Sequence, residues 1–428
     1  AGGEPELVAG QLRLGGVTAP RCIGWPRLLD DGRSAFVIDW DGSALGDTSL
    51  LTLGTNDLHP LVSSGSAGAE APTGHLLYTQ ADNIMFAAAV DRATGRLAGP
   101  ATAVIRDVAL DGAGGAFAVS DTGTLVYARG QLRGSPFELK RLVRLDAAGR
   151  PEAIIFPPSP FQIPPNLSRD GRYLVVSSRT HGLWIGDLER GTRARLPIGR
   201  TRLARFPVWS PDSERVFFRG AWLGEMGWKL FVQSSDGSSD PELLFGDDAI
   251  EKRPRGVSPD GATLFCEILG GEADRGLWEF PLSGSGARRR VFAGTITEAD
   301  ISPDGRWLAY QSEEFGSREV FVRRTVERAR SLQISIAGGC SPRWSLDGEE
   351  LFYFAGDRLL AAPINGSTGE AVLGPARPVL ECPNIEGFAV GAGGAIIGVE
   401  RQPDSALVRQ LQLVTGWLSE LRALAPLA

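Results

Sequence analysis

The sequence predicts an all-β fold built from one repeated unit. A short turn followed by an aromatic-rich strand, as in Ile301 to Tyr310 (ISPDGRWLAY), recurs along the chain. The copies are spaced by about 45 residues, which is the length of a four-stranded propeller blade. The middle of the chain has no segment of about 12 residues with a helical period. These observations predict a single closed β-propeller of four-stranded blades, because closing the sheets into a ring removes most of their free edges.

Each repeat begins with a turn whose residues suit their positions. In Ser302-Pro303-Asp304-Gly305, proline fixes φ, aspartate bonds its own backbone, and glycine accepts a positive φ. The following residues alternate polar and apolar, as in a half-buried strand. Two further strands follow, REVFVRRT and RSLQIS, and CSPRWS supplies the innermost strand of the next blade. One repeat therefore accounts for the four strands of a blade.

Aligned on the turn, the copies number nine, five of them strong and four weaker. The count predicts nine blades, or eight if the copy around Gly74 or Gly394 is only partial. The nine turn positions are Gly32, Gly74, Gly123, Gly171, Ser213, Gly261, Gly305, Gly348 and Gly394.

The two ends of the chain are assigned within one domain spanning 1–428. The unit after Gly394 has only two strands, AIIGVERQ and ALVRQLQLV, and lacks an outer one. Glu6 to Leu14 (ELVAGQLRL) has no unit of its own. We therefore expect residues 6–14 to complete the last blade and close the ring. Residues 416–424 (GWLSELRAL) are the only candidate for a helix, of about two turns.

The turn and strand resemble the TolB-like (WD-like) propeller repeat. A second resemblance runs from Pro26 to Leu424, carried by GHLLYTQADNIMFAAAVDRATGRLAGPATAV, GGAFAVSDTGTLVYARG, CSPRWSLDGEELFYF and LQLVTGWLSEL. These segments are similar to the propeller region that follows the membrane span of bacterial eukaryotic-type serine/threonine kinases. The resemblance implies an extracytoplasmic domain, periplasmic or at the cell surface, tethered to a kinase through an N-terminal membrane span. The motifs of a kinase domain itself are absent from the sequence.

Composition narrows the function classes. The net charge is −7 and no basic block occurs, which argues against a nucleic-acid partner. No apolar run approaches the roughly 18 residues of a membrane span, so we expect no insertion by this segment. Four cysteines are too few for a disulfide scaffold. Cys22, Cys340 and Cys382 precede innermost strands, and we expect separate buried thiols there, with a thiol cluster as the alternative.

Catalytic and metal motifs are weak. No G-x-S-x-G nucleophile motif occurs, and the three histidines, His59, His75 and His181, follow no catalytic pattern. Asp39-Trp40-Asp41-Gly42 resembles the start of a calcium loop but lacks the glycine at the sixth position. The aspartate that recurs in each turn is expected to stabilise that turn. We expect no catalytic residue, no metal and no cofactor.

The candidate binding residues precede the turns, where innermost strands begin at one mouth of the central channel. Arginine is in excess among them, and its planar guanidinium suits carboxylates and peptide backbones. The alternative is a set of salt bridges that tie blades together. The candidates are Arg27, Arg205, Arg253, Arg255, Glu298, Asp300, Arg343 and Glu386.

Trp222 lies outside the phase at which the other tryptophans recur. It belongs to GAWLGEMGW, an apolar hairpin tip that also holds Met226. The tip is either an exposed contact for a partner or a loop folded over its own blade.

These features predict a non-enzymatic propeller that binds a protein, peptide or small-molecule ligand at the channel mouth. The resemblance implies the sensor or interaction domain of a bacterial signalling kinase. One alternative is a propeller hydrolase or lyase acting at the mouth. Another is a structural scaffold within an envelope complex.

Overall fold

The computed structural model describes the chain in two compact units, Ala1–Glu138 with Pro403–Ala428, and Leu139–Gln402. The described residues are all of 1–428 except 1–12, 15–16, 19–21, 41–45, 64, 67, 81, 112–113, 147, 154–155, 163, 223–227, 246–250, 270–273, 284–286, 314–315, 327–328, 366–371, 402–406, 409 and 426–428.

The first unit begins with two sheets whose strands are mostly antiparallel. The first sheet has the order β2-β1-β6-β5-β4-β3, with β1 parallel to β6. It contains β1 (Arg13–Leu14), β2 (Val17–Thr18), β3 (Cys22–Leu28), β4 (Ser34–Trp40), β5 (Asp47–Thr52) and β6 (Asp57–Val62). The second sheet has the order β10-β9-β8-β7, and a fifth strand also pairs with β9. It contains β7 (Ala69–Glu70), β8 (His75–Thr79), β9 (Met85–Asp91), β10 (Arg96–Leu97) and β11 (Thr102–Ile105).

The third sheet of this unit joins β12 (Phe117–Val119) and β13 (Leu125–Ala128) to a strand from the end of the chain.

The second unit contains six sheets of four or five antiparallel strands each. The innermost strands are β16, β20, β24, β28, β32 and β37. In chain order the strands are β14 (Lys140–Leu145), β15 (Pro151–Ala153), β16 (Asn166–Leu167), β17 (Tyr173–Ser178), β18 (Gly182–Asp187), β19 (Thr192–Arg195), β20 (Thr201–Trp209), β21 (Arg215–Trp222), β22 (Lys229–Ser234), β23 (Glu242–Phe245), β24 (Lys252–Val257), β25 (Thr263–Ile268), β26 (Gly276–Pro281), β27 (Arg289–Ala293), β28 (Thr297–Ile301), β29 (Trp307–Ser312), β30 (Glu319–Arg324), β31 (Leu332–Gln333), β32 (Cys340–Trp344), β33 (Glu350–Ala355), β34 (Arg358–Asn365), β35 (Val372–Leu373), β36 (Arg377–Glu381), β37 (Ile385–Val390) and β38 (Ile396–Arg401).

The chain then returns to the first unit. There β39 (Leu411–Val414) pairs with β13, and α1 (Leu418–Leu424) lies within the segment 416–424 that was expected to be helical. Trp417 and Leu421 are buried against this unit's core, and the indole Nε1 of Trp417 donates to the carbonyl of Gly123. Among the described residues, no helix has both the length and the apolar character needed to cross a membrane.

The six inner strands of the second unit contact one another in a closed cycle, in which β37 touches both β32 and β16. The last sheet contains strands from both ends of the unit. There β14 pairs along its whole length with β38, from Lys140 opposite Arg401 to Leu145 opposite Ile396. The second unit is therefore a six-bladed propeller closed by its own first strand. The strand content and the four-stranded sheets confirm the predicted all-β class and the four-stranded blades.

The closure differs from the one expected for a single ring of nine blades. Nine sheets are present among the described residues, and each turn position leads into one of them. However, β14 and β15 complete the sheet that follows Gly394, whereas β1 pairs with β6 in the first unit. Residues 13–14 thus do not close the last blade, and 6–12 lie outside the described residues. The repeat determines where a sheet starts, but closure depends on a pairing between segments more than 250 residues apart.

The turn is held together as its composition predicts. Ser302 Oγ donates to Asp304 Oδ1 at 2.6 Å and accepts from the backbone N–H of Trp307 at 2.9 Å. Gly305 has a φ of 72°, and a Cβ at this position would lie 2.7 Å from Pro259 of the preceding turn. The recurring aspartate and glycine therefore shape each turn and allow neighbouring turns to pack.

Candidate functional site

A β-bulge recurs in the inner strands, close to the predicted binding residues. The pairing register shifts in β20, β24, β28, β32 and β37. Seven residues before the turn, Phe206, Glu298 and Ser341 have φ of 53°, 57° and 52°, and Trp25 of the first unit has 48°. This left-handed conformation costs an L-residue about 1–2 kcal/mol. Bulges re-aim the side chains around them, so five of the six inner strands provide a position where a side chain leaves the regular alternation.

Four arginines from three consecutive blades form what we call the arginine cluster: Arg179, Arg205, Arg219 and Arg253. Arg179 follows the end of β17, and Arg205 on β20 pairs with Arg219 on the neighbouring β21. Arg253 lies near the start of β24. All four therefore belong to the end of the second unit at which the inner strands begin. We call this the starting end.

Two aromatic rings hold three of these guanidinium groups. The guanidinium carbons of Arg219 and Arg205 lie 3.9 Å and 4.9 Å from the ring centroid of Trp228. That of Arg253 lies 5.0 Å from the ring of Phe206. Guanidinium groups stack favourably on aromatic faces, so the cluster is positioned before any ligand arrives.

One carboxylate serves the cluster within the described part of the chain. Glu251 Oε1 accepts hydrogen bonds from Arg253 Nη2 and Nε at 3.0 Å and 3.1 Å, and it also pairs with Arg219. Arg179 and Arg205 have no described carboxylate within ion-pair distance. The Nε groups of Arg205 and Arg219 are buried and lack a hydrogen-bond partner there. The cluster thus has an excess of three positive charges.

Burial and mutual repulsion act on these side chains. Burial and then the charges of Arg179, Arg219 and Arg253 lower the pKa of Arg205 to about 10, although Glu251 opposes this. Burial likewise lowers the pKa of Arg219 to about 10, although Glu251 opposes this. Both side chains remain charged at neutral pH. They are therefore cations in an environment that disfavours charge.

A second group of candidates on the inner strands forms ion pairs. Arg255 Nε donates to Glu267 Oε2 at 2.9 Å within one blade. Arg343 Nη2 donates to Glu298 Oε2 at 3.0 Å, which links the blades of β32 and β28. Burial would raise the pKa of Glu298, but the charges of Arg255 and Arg343 hold it below its ordinary value. The Arg343–Glu298 pair is a salt bridge between blades, of the kind that the alternative describes, whereas the Arg255–Glu267 pair lies within one blade.

Asp300 is the exception among these carboxylates. It is half-buried and accepts a hydrogen bond from the backbone N–H of Trp344 at 2.8 Å. Burial raises its pKa to about 6, although the charge of Arg343 and this hydrogen bond partly oppose the rise. Asp300 therefore changes its charge close to neutral pH.

A cavity of about 150 Å³ lies where the inner strands of the ring reach their turns. Its lining includes Arg255, Asp300, Arg343 and the buried Trp344, whose indole Nε1 has no partner among the described residues. This volume holds a few water molecules or a small polar group. The turn end of the channel is therefore narrow and polar.

A larger cavity, of about 610 Å³, lies at the starting end between the blades of β28, β32 and β37. Glu386 on its wall is paired with Lys140 at 2.7 Å and with Arg401 at 2.5 Å. Cys340 and Cys382 line the same cavity as free thiols. Burial raises the pKa of both thiols, that of Cys382 to about 11. The two thiols are therefore not joined in a disulfide, and burial favours their neutral form.

The other predicted residues lie elsewhere. Arg27 is exposed on β3 of the first unit, whereas the other seven candidates belong to the second unit. Trp222 is half-buried, with its ring 5.8 Å from that of Phe231 and the Arg200 guanidinium 4.2 Å above it. This packing agrees with a loop folded over its own blade. Met226 lies outside the described residues.

Sequence reasoning missed Arg179, Arg219, Glu251 and Trp228. The positions at a fixed distance before each turn lie on inner strands only, so they do not include these four residues. Arg219 lies on a second strand and Arg179 follows another. Arg179 lies eight residues after its turn position, Gly171, and Arg219 lies six residues after Ser213. A comparison of the residues six to eight positions after each turn would have revealed both arginines.

Two of the histidines make local contacts, and the calcium-like loop lies only partly within the described residues. His75 is buried and contacts Thr73 Oγ1 at 2.8 Å through Nδ1 and the carbonyl of Ala425 through Nε2. His181 is exposed, with Nδ1 at 2.6 Å from Thr180 Oγ1. Of the calcium-like loop, Asp39 is buried on β4, and 41–45 lie outside the described residues. In the described ranges, no group of three or more potential ligands is arranged to hold a metal ion.

No family model matches the chain. Among solved structures, the chain is similar to a putative TolB from Agrobacterium tumefaciens, with 18% identity over 62% of this chain and 99% of that chain and a TM-score of 0.47. TolB from Acinetobacter baumannii has 16% identity over 66% and 68%, with a TM-score of 0.42. An oligogalacturonate lyase in complex with manganese has 16% identity over 70% and 87%, with a TM-score of 0.34. The structural neighbours of the chain thus include TolB β-propeller proteins.

Proposed function

We propose that the chain is a non-enzymatic binding propeller that takes a protein, peptide or small-molecule ligand at the starting end of the six-bladed ring. The observation that carries this proposal is the arginine cluster, in which cations are fixed in place without matching carboxylates. Buried charges in folded proteins are normally paired. A surplus held by aromatic stacking is therefore better suited to a ligand than to internal stability.

The paired ions of the other blades have a supporting role in this proposal. The Glu298–Arg343 pair joins two neighbouring inner strands, and the Glu386 pairs connect β37 to β38 and to β14 within the closing blade. Such pairs hold the ring in one geometry, so the ligand meets a rigid surface. Rigidity reduces the entropy lost on binding.

The proposal includes a setting, which rests on the sequence resemblance. We propose an extracytoplasmic sensor or interaction domain of a bacterial signalling kinase. The open reading frame is the discriminating observation. A kinase domain and a membrane span upstream of this region support the sensor role, whereas neighbouring genes for envelope proteins and no kinase favour a scaffold.

Photo-crosslinking tests the binding role. A photoreactive p-benzoylphenylalanine replaces His181, an exposed residue two positions after Arg179, and in a control protein it replaces Arg289, exposed on the outer strand β27. Irradiation with extracts of the source cells is expected to give an adduct from position 181 only. Equal adducts from both positions, or none from 181, contradict the proposal.

A second candidate function is an enzyme, because Asp300 has a pKa of about 6 inside the channel cavity. A carboxyl group with a pKa near the working pH is suited to general acid or base catalysis. Peptidase, esterase and glycan-lyase substrates should be assayed with the wild type and with Arg343→Ala and Arg253→Ala. Activity that either substitution abolishes would overturn the non-enzymatic proposal.

A further inference from the structure

We propose that the arginine cluster is a binding site for carboxylate groups, and that the ligand of the propeller is an acidic molecule with at least two carboxylates. This inference rests on the proposed binding function and specifies its ligand. It depends on the juxtaposition of Arg179, Arg205, Arg219 and Arg253 around Trp228.

Within the cluster, arginines already bind one carboxylate of the chain itself. On its single oxygen Oε1, Glu251 accepts two hydrogen bonds from Arg253 and one from Arg219, so charge-assisted hydrogen bonds to a carboxylate already occur in the cluster. Arg205 lies beside Arg219 across the β20–β21 pair. An incoming carboxylate on Arg205 would repeat the arrangement that Glu251 already makes on its neighbours.

The cluster has N–H donors that could bind a further carboxylate. The side chain of Arg219 is 5% exposed. Its buried Nε and the buried Nε of Arg205 both lack a described hydrogen-bond partner. An unpartnered buried donor costs free energy that a ligand oxygen recovers. Arg179 provides a second guanidinium without a carboxylate, so a ligand with two carboxylates could pair with both Arg179 and Arg205 and would reduce the excess of three positive charges to one.

The positions of the charges also explain why the cluster is not simply a structural element. The protein is acidic overall, with a net charge of −7, yet no second described carboxylate joins Glu251. The charges of Arg179, Arg219 and Arg253 oppose the ionised state of Arg205. Removing Arg205 should therefore relieve repulsion and leave the ring at least as stable, which a purely structural residue would not do.

Calorimetric titration of the full chain tests the site, with citrate as the probe at neutral pH and low salt. Arg205→Ala is expected to weaken binding at least about tenfold, because a buried partner of a charge pair is lost. Arg205→Lys should give an intermediate loss, since lysine retains the charge but not the fork. The control Arg195→Ala removes the same charge from an exposed position on β19 and should leave affinity within about twofold, by the low cost of distant exposed charges.

Further probes separate the sources of the carboxylate. The peptides acetyl-Glu-Glu-Glu-Glu-amide and acetyl-Gln-Gln-Gln-Gln-amide report on acidic protein segments, and citrate reports on small acids. Binding of the glutamate peptide but not the glutamine peptide assigns the site to acidic segments, and binding of citrate alone assigns it to small acids. Inorganic phosphate that binds as tightly as citrate overturns the preference for carboxylates.

Urea unfolding completes the test. Loss of binding in Arg205→Ala with unchanged or increased stability supports a ligand site. Loss of binding together with lower stability overturns it in favour of a structural role. If citrate and both peptides fail to bind the wild type but the position-181 crosslink persists, only the carboxylate inference fails. If the crosslink is also absent, the binding function fails with it.

Discussion

Replacing Asp300 by asparagine should make the protein more stable at neutral pH. The difference between its pKa of about 6 and the ordinary 3.8 corresponds to about 3 kcal/mol, at about 1.4 kcal/mol for each pH unit. Asparagine keeps an oxygen that can accept the hydrogen bond from the N–H of Trp344 and avoids the burial of a charge. Because this pKa already includes the attraction to Arg343, the difference is a net one, and we expect an increase of up to about 3 kcal/mol in the free energy of unfolding at pH 7.5.

The pH dependence has a definite sign. Between about pH 4 and 6 the folded protein holds a proton on Asp300 that the unfolded chain has released, so the contribution of Asp300 to stability falls as the pH rises through this window. Urea unfolding of the full chain at pH 4, 5, 6 and 7.5 measures the difference between wild type and Asp300→Asn, which cancels all other titrating groups. The difference should be near zero at pH 4 and largest at pH 7.5.

A matched control lies in the same blade. Hydrogen bonds from Ser302 and Arg306 outweigh burial and lower the pKa of Asp304, so its ionised form stabilises the fold. Asp304→Asn should therefore be less stable than wild type at pH 7.5, and this loss should shrink as the pH falls. An Asp300→Asn protein that is less stable at pH 7.5, or whose difference from wild type is the same at every pH, would refute the burial argument.

Three other perturbations test the ring. Arg343→Met leaves Glu298 half-buried without its inter-blade partner and should lower the free energy of unfolding by about 2–4 kcal/mol, measured by urea unfolding; a loss below about 0.5 kcal/mol would mean that the pair is solvated. Gly305→Ala should cost more than Gly316→Ala, because both have positive φ but only the first also meets a neighbouring proline; equal losses would contradict the turn packing. The fragment 139–402 should unfold cooperatively on its own, since it contains both strands that close its ring, and a fragment without a cooperative transition would show that closure needs more of the chain.

The sequence predicts the parts of this fold that depend on neighbouring residues. The turn Ser302–Gly305 and the strand after it are local, and nine copies of the pattern correspond to nine sheets. Ring closure depends on β14 finding β38, and no local signal marks Lys140 to Leu145 as a closing strand rather than an ordinary one. The number of sheets was therefore predictable, but the division into a ring of six and a separate unit was not.

The same distinction separates the candidate site from its environment. The inner-strand positions were predictable from phase, so Arg205, Arg253, Glu298 and Glu386 were found at the starting end. Whether an arginine is paired depends on side chains from other strands, such as Glu267 for Arg255 and Glu251 for Arg253. Phase alone could not tell the paired from the unpaired.

The charges at the starting end are divided between two halves of the ring. The blades of β16, β20 and β24 supply the arginine cluster, whereas those of β28, β32 and β37 supply carboxylates that are already paired, as Glu298 is with Arg343 and Glu386 with Lys140. A ring of identical blades would present the same potential all around its mouth. Because the turns and bulges recur while these side chains differ, the backbone repeat can be conserved in geometry as the charges change from blade to blade. The unequal charge then gives an acidic ligand one side of the mouth to approach, and electrostatic complementarity of this kind sets orientation and association rate more than affinity.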